Sequence, residues 1–336
     1  MVIAGLALAL FVPWSSGATG HRTFATAGAI TKLAADGTRV AVLTTKVKGS
    51  CDAVVVWDEQ NASTAGFATK EACPRTDVAV IPFTVADLAL GDGQVAWIAY
   101  TGGNETETLV YAARLGTRRV KQIDFLISDS DSGAGDDAGH LFGGGSVLAY
   151  NRELGCEQDA SGAITCDPRV VLIHNARGHA VAKGVTLAAA GGTRLATTSA
   201  GAIALLGPDA SPVATLGGNA TPRATVAIGS TRVAVGSTGS IDVYAAASGA
   251  KLTSFPLGTA SGLKLVGVNA KIALFRGSKR TALMRLRDGK VVPLVLEGAV
   301  DAKLTEAGLF YAFNTPKATR KGHVAFEPTV ELLRRF

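Results

Sequence analysis

The chain has 336 residues, 47% of them apolar, 18% charged and 40 of them glycine, which is too apolar and too evenly charged for a disordered polymer. Its net charge of +6 is spread along the sequence, with no dense Lys/Arg helix and no basic-aromatic strand motif, so nucleic acid is not an expected partner. After the first residues no stretch is long and apolar enough for a membrane helix.

The chain opens on an apolar run, residues 2–12, followed by Ser16, Gly17 and Ala18, small residues of the kind a signal peptidase reads. Residues 1–18 are therefore expected to be a signal peptide and the protein extracytoplasmic, secreted or envelope-associated. No Lys or Arg precedes the apolar run, and a buried first strand is the other reading of it. No Cys follows it, so a lipoprotein anchor is not expected.

From residue 22 onward one phrase recurs seven times: an apolar stretch, a small turn residue, then a short Val-Ala-like strand. The turns fall at Gly37, Gly93, Gly145, Gly192, Gly229, Asn269 and Gly308. The strands that follow begin Val40-Ala41-Val42, Val95-Ala96-Trp97, Val147-Leu148, Leu195-Ala196, Val233-Ala234, Ile272-Ala273 and Leu309-Phe310. Spacings of about 37 to 55 residues suit propeller-blade arrays. Each repeat reads as four strands, A to D. The C strands are clearest at 53–58, 108–112, 170–174, 202–206, 240–244, 282–286 and 323–326. Turns such as Ala247-Ser248-Gly249 and Arg287-Asp288-Gly289 lead into D strands.

The expected fold is thus all-β, a single seven-bladed propeller of four-stranded antiparallel blades over 22–336, with six or eight blades as alternatives. Blades start near 28, 84, 137, 184, 222, 261 and 299. The last blade is completed either by residues 329–333 or by 21–26, the latter sealing the ring with the N-terminal segment.

One C strand ends in Trp57-Asp58. On this pair and the repeat, the chain resembles the WD40-like and TolB-like β-propellers of secreted bacterial proteins over residues 22–336. The Gly-His that opens the repeats of typical WD40 proteins does not recur here. The resemblance implies protein or peptide binding.

Four cysteines suit an oxidising compartment. Cys51 and Cys73 flank two strand-like runs with a turn midway. Cys156 and Cys166 flank Asp159-Ala160-Ser161-Gly162 in the same way, so the pairs Cys51–Cys73 and Cys156–Cys166 are expected.

In a propeller the B–C and D–A loops share one face. An acidic sector is expected there from Glu105 and Glu107, from Asp129, Asp131, Asp136 and Asp137 in a D–A loop at 128–137, and from Glu153, Glu157 and Asp159. A basic sector is expected from Arg276, Lys279, Arg280, Lys317, Arg320 and Lys321, with Lys46 and Lys48 beside it. Such a bipolar face could orient a charged partner. Asp129, Asp131, Asp136, Asp137 and His140 are the candidate ligands for a Ca²⁺ ion, although the order is neither that of an EF-hand nor an Asp-box. No Gly-x-Ser-x-Gly elbow, His-Glu-x-x-His pair or Walker A loop occurs. The expectation is a monomeric, non-enzymatic scaffold with no cofactor, binding a protein, peptide or cell-envelope component. The alternative is a propeller hydrolase, lyase or lactonase with a carboxylate or metal site near blade 3.

Overall fold

A computed structural model describes residues 22–45, 53–67, 84–102, 105–217, 224–296, 298–315 and 321–336. Cys51, Cys73, Lys46, Lys48, Lys317, Arg320 and residues 1–18, the expected signal peptide, lie outside them.

The described residues form 28 strands: β1 (Arg22–Ala25), β2–β5 over 30–67, β6–β9 over 84–129, β10–β13 over 135–183, β14–β17 over 186–216, β18–β21 over 225–256, β22–β25 over 264–294 and β26–β28 over 299–328. All pair antiparallel. Five sheets have four strands, and an eight-stranded sheet runs β6 to β13. Its halves are joined at β9–β10 by one residue pair, Gly135 with Ser128, so it is two blades sharing a seam. The first strands of the seven units, β2, β6, β10, β14, β18, β22 and β26, each touch the next, and β26 touches β2. The units therefore close into a ring around an axis lined by their A strands.

The repeated phrase explains the packing. Side chains alternate across a strand, and both faces of an inner blade strand are buried. In β3 (Arg39–Thr44), Val40 and Val42 enter the core between blades 7 and 1, while Ala41 and Leu43 enter the core between blades 1 and 2. The same division yields seven apolar clusters, one at each blade interface. Glycine at the ends of the A strands lets them converge. A Cβ at Gly91 would sit 2.2 Å from the Val147 carbonyl oxygen, and one at Gly191 2.3 Å from that of Ile228.

The closing strand comes from the other end of the chain. β1 pairs with β28 (Gly322–Pro328), Phe24 opposite Val324. Phe24 also stacks on Trp57 of blade 1 at 5.8 Å between ring centroids, so the strand binds both sides of the seam. Residues Thr329–Leu333, the other candidate, form a short helix, α1. Pro328 lacks an N–H and ends the ladder.

Several loop expectations change: Glu153 and Glu157 lie on the strand Val147–Gln158, and Arg276 ends the strand Ile272–Arg276. Glu105 and Glu107 lie on strand β8 (Glu105–Arg114) rather than in a B–C loop. The D–A loop expected at 128–137 shrinks to residues 130–134, because β9 (Val120–Asp129) and β10 (Gly135–Gly144) continue into it. Strands of 10 to 12 residues in blades 2 and 3, against five in β16 and β24, carry these ladders beyond the height of the ring.

Candidate functional site: a channel closed at one end

The two ends of the central channel differ. At one end the A–B turns are knitted together. Asp36 of blade 1 accepts a 2.7 Å hydrogen bond from the Gly145 N–H of blade 3. Glu306 of blade 7 accepts from the Ser230 N–H of blade 5 at 2.9 Å and from the Ala270 N–H of blade 6 at 3.1 Å. Both carboxylates bond non-neighbouring blades, so they lie across the end of the axis. The Thr305 hydroxyl donates to the Gly37 carbonyl, Asp92 N–H to that of Gly145, and Ser146 N–H to that of Gly192, which links the remaining turns. Burial raises the pKa of Asp36, outweighing the Gly145 N–H and the Arg39 charge.

The opposite end, bearing the B–C and D–A connections, is open. The channel holds about 400 Å³ and is walled by small side chains, among them Ala34, Ala89, Ala189 and Ala227, with Asp87, His140 and Lys303 as its charged groups. A shallower depression of about 960 Å³ adjoins it over blades 3 to 6, between His140 and Phe142 on one side and Thr198–Gly201 on the other.

The mouth has a charged arc and an uncharged one. Four residues before the last paired residue of each A strand stand Asp301, Lys32, Asp87 and His140 in blades 7, 1, 2 and 3. The same level reads Leu187, Thr225 and Leu265 in blades 4, 5 and 6. Asp87 centres the charged arc. It accepts the Leu141 N–H at 2.9 Å, and Lys32 Nζ and His140 Nδ1 each lie 3.5 Å from it. Tyr100 nearby is pushed up to about 12, first by burial and then by the charges of Asp137, Asp87 and Glu153. Lys32, Asp87, Asp301 and Lys303 were missed in the sequence because they sit within otherwise largely apolar strands. The legible signal was a charge recurring at one offset before successive turns.

Asp129, Asp136 and Asp137 are each engaged locally. Asp129 accepts the Asp131 and Ser132 N–H groups and the Ser132 hydroxyl, which hold its carboxyl below the usual range. Asp136 accepts the Gly155 N–H at 2.8 Å, and Asp137 the Thr108 hydroxyl at 2.7 Å. Glu105 faces Asp129 across the β8–β9 ladder, and Glu107 faces Ile127. The five candidate calcium ligands are not brought together: among the described residues, the one group of three metal-capable atoms joins Glu153 to Cys156 and Cys166. Those sulfurs form a disulfide, as expected from their spacing, and a disulfide offers no thiolate.

The basic sector is partly structural. Arg276 pairs with Asp301 and donates to the Ala299 and Val300 carbonyls, tying blade 6 to blade 7. Lys279 and Arg280 line an open groove of about 720 Å³ with Leu263, Pro293 and Val295, and Lys321 is exposed.

No protein-family model and no curated protein matches the chain in sequence. Solved structures do match. Hsv2 from K. marxianus is 12% identical, with 89% of this chain and 97% of that one covered and a TM-score of 0.50. The fold is that of a β-propeller. An Hsv2 variant with loop 6CD replaced by a Gly-Ser linker is 11% identical over 87% of this chain and 96% of that one, at 0.48. PorZ, a surface component of the type-IX secretion system of Porphyromonas gingivalis, is 11% identical over 87% of this chain, at 0.47. This chain spans only 36% of the length of PorZ. At such identities the likeness concerns the fold alone.

Proposed function

We propose that the protein is an extracytoplasmic, non-enzymatic propeller of the WD40-like and TolB-like kind, whose open face receives a protein, peptide or cell-envelope component. The observation that carries this reading is the one-sided channel. One end is tied shut by Asp36 and Glu306, and the other widens into a depression lined largely by Ala, Gly, Ser and Thr, into which a partner's projecting group would fit. Lys279 and Arg280, in no ion pair among the described residues, and the acidic ends of blades 2 and 3 supply charge of both signs on that face. The carboxylates of blade 3 serve backbone N–H and hydroxyl groups, which suits a scaffold better than a hydrolase or lyase. The Cys156–Cys166 bridge supports an oxidising compartment.

Site-specific photo-crosslinking tests the reading. Probes at Ser199 and Lys279, exposed on the open face, should capture a shared set of envelope components at low salt and less of it at high salt. Probes at Ser248 and Arg287, exposed on the opposite face, should not. Equal capture from both faces would refute it.

A further inference from the structure

The groove of about 720 Å³ at the open-face end of blade 6 lies between the connections that enter and leave that blade. Leu263 lines it from the entering connection, and Val295 and Leu296 from the leaving one. Val291 and Pro293 of the outer strand β25 (Val291–Leu294) also line it. Val295 is 76% exposed, more than any other large apolar residue among the described residues. Apolar side chains left in water within a concavity mark a contact site more strongly than ones scattered over a convex surface.

A cationic turn borders these side chains. The Gly277 N–H bonds to the Arg280 carbonyl at 2.8 Å, so Ser278, Lys279 and Arg280 project from a closed loop. Leu263 packs against this turn: a Cβ on Gly277 would lie 2.9 Å from Leu263 Cδ2. The apolar wall and the charged turn are therefore in contact.

The available charge has one sign. Arg276 is committed to Asp301 and to the Ala299 and Val300 carbonyls, which fixes the leaving connection. Lys279 and Arg280 are exposed and in no ion pair among the described residues, and no described carboxylate lines the groove. Glu297, between Leu296 and Gly298, lies outside the described residues. Adjacent cations repel a basic partner and favour a carboxylate, to which a guanidinium can donate a forked pair of hydrogen bonds.

Two features favour a peptide over a hydrocarbon tail. Thr259, Ser278 and Thr281 bring hydroxyls to the groove. Peptide amides can bond to these, whereas an acyl chain would strip their water without replacing it. Pro293 lacks an N–H, which makes β25 a poor edge for strand addition, so the partner is held by its side chains.

We propose that the groove docks an acidic, apolar peptide segment of a partner protein. Its Asp or Glu carboxylates meet Lys279 and Arg280, and a neighbouring large apolar side chain lies against Leu263 and Val295. The proposal rests on the open-face reading above and names the chemistry of the partner.

Selection of a displayed random heptapeptide library on the full chain tests it. Enriched peptides should carry Asp or Glu beside Leu, Ile or Phe. In fluorescence anisotropy, a synthetic peptide of the enriched sequence should bind about tenfold or more weakly to the Lys279→Gln/Arg280→Gln chain and to Val295→Ser. Its binding to the wild type should weaken as salt rises. Lys271→Gln, on the A–B turn at the other end of the same blade, should bind it as the wild type does. All four side chains are exposed, so the variants should fold, which a melting curve checks. Enrichment of basic or uncharged sequences, no enrichment at all, or equal affinity for the doubly substituted chain overturns the proposal. Cosedimentation with phosphatidylglycerol vesicles that requires Lys279 and Arg280, without peptide enrichment, also overturns it and assigns the groove to a lipid surface. If crosslinking through the Ser199 probe stays selective for the open face in such a case, only the groove assignment fails; if that selectivity is lost as well, both readings fall.

Discussion

The hydroxyl of Tyr150 donates a 2.7 Å hydrogen bond to Asp124 Oδ2, joining β11 (Val147–Gln158) of blade 3 to β9, the outer strand of blade 2. Arg152 Nε lies 3.2 Å from the same oxygen. Tyr150 is fully buried, so the bond is made out of water and the ring cannot turn away. Tyr150→Phe should cost about 1–2 kcal/mol, read as a lower urea midpoint at constant slope. A change in slope would instead mean that blades 2 and 3 unfold apart from the rest.

Four of the five tyrosines are held back from ionising. Burial and neighbouring carboxylates push Tyr100 and Tyr244 up to about 12, and Tyr150 and Tyr311 are raised as well. Groups raised by folding contribute stability that is fully present below the unfolded value of 10.0 and is lost as pH rises through about 12. Phenolate absorbance should therefore lag that of the denatured chain and then rise together with loss of the β-sheet circular dichroism. Ordinary titration of three or more tyrosines near pH 10 would contradict the packing around them.

Asp36 has the same relation to its ionised form, at the other end of the pH scale. Folding raises its pKa above 3.8, so the native state takes up this proton more readily than the unfolded chain. Its contribution is most favourable in acid and fades as pH rises through the folded value. Asn keeps an oxygen for the Gly145 N–H. Asp36→Asn should thus melt about 1–3 °C higher than the wild type at pH 7, with the gain vanishing toward pH 4. A gain that persisted in acid would point to some cause other than the carboxylate's charge.

How far the sequence speaks is clear from particular residues. Val40, Ala41 and Val42 announce a strand buried on both faces because each side chain is apolar and the middle one is small. The same logic finds the ring, since the phrase repeats wherever two blades meet. It could not place Glu105 or Asp136, because a charged residue on a strand that outgrows the core has the composition of a loop. Nor could it assign Asp36 or Glu306. An acid beside a turn reads as a local turn former, whereas here it reaches a turn on a non-neighbouring blade. Cys156 and Cys166 were legible because their pairing is local, ten residues apart.

That bridge closes a hairpin whose tip stands clear of the blade interfaces. Closing so short a loop contributes about 3 kcal/mol in the chain-entropy model, mostly to the hairpin itself. Reduction should speed Glu-specific proteolysis at Glu157 about tenfold or more while the main thermal transition moves by no more than about 3 °C. A collapse of the whole transition on reduction would show that the hairpin is part of the ring's cooperative unit.

The strand that seals the ring has a consequence for how the protein is made. Thr26 bonds to Gly322 across a sequence separation of 296 residues. During synthesis from the N-terminus, Arg22–Ala25 therefore emerges long before the blade it completes exists. Six blades can assemble in order as they appear, but the seventh waits until Gly322–Pro328 has been made, and until then the growing arc carries two open edges. The last blade to form is the one that joins Arg22–Ala25 to Gly322–Pro328, so a product stalled before that strand is left with its sticky margins exposed.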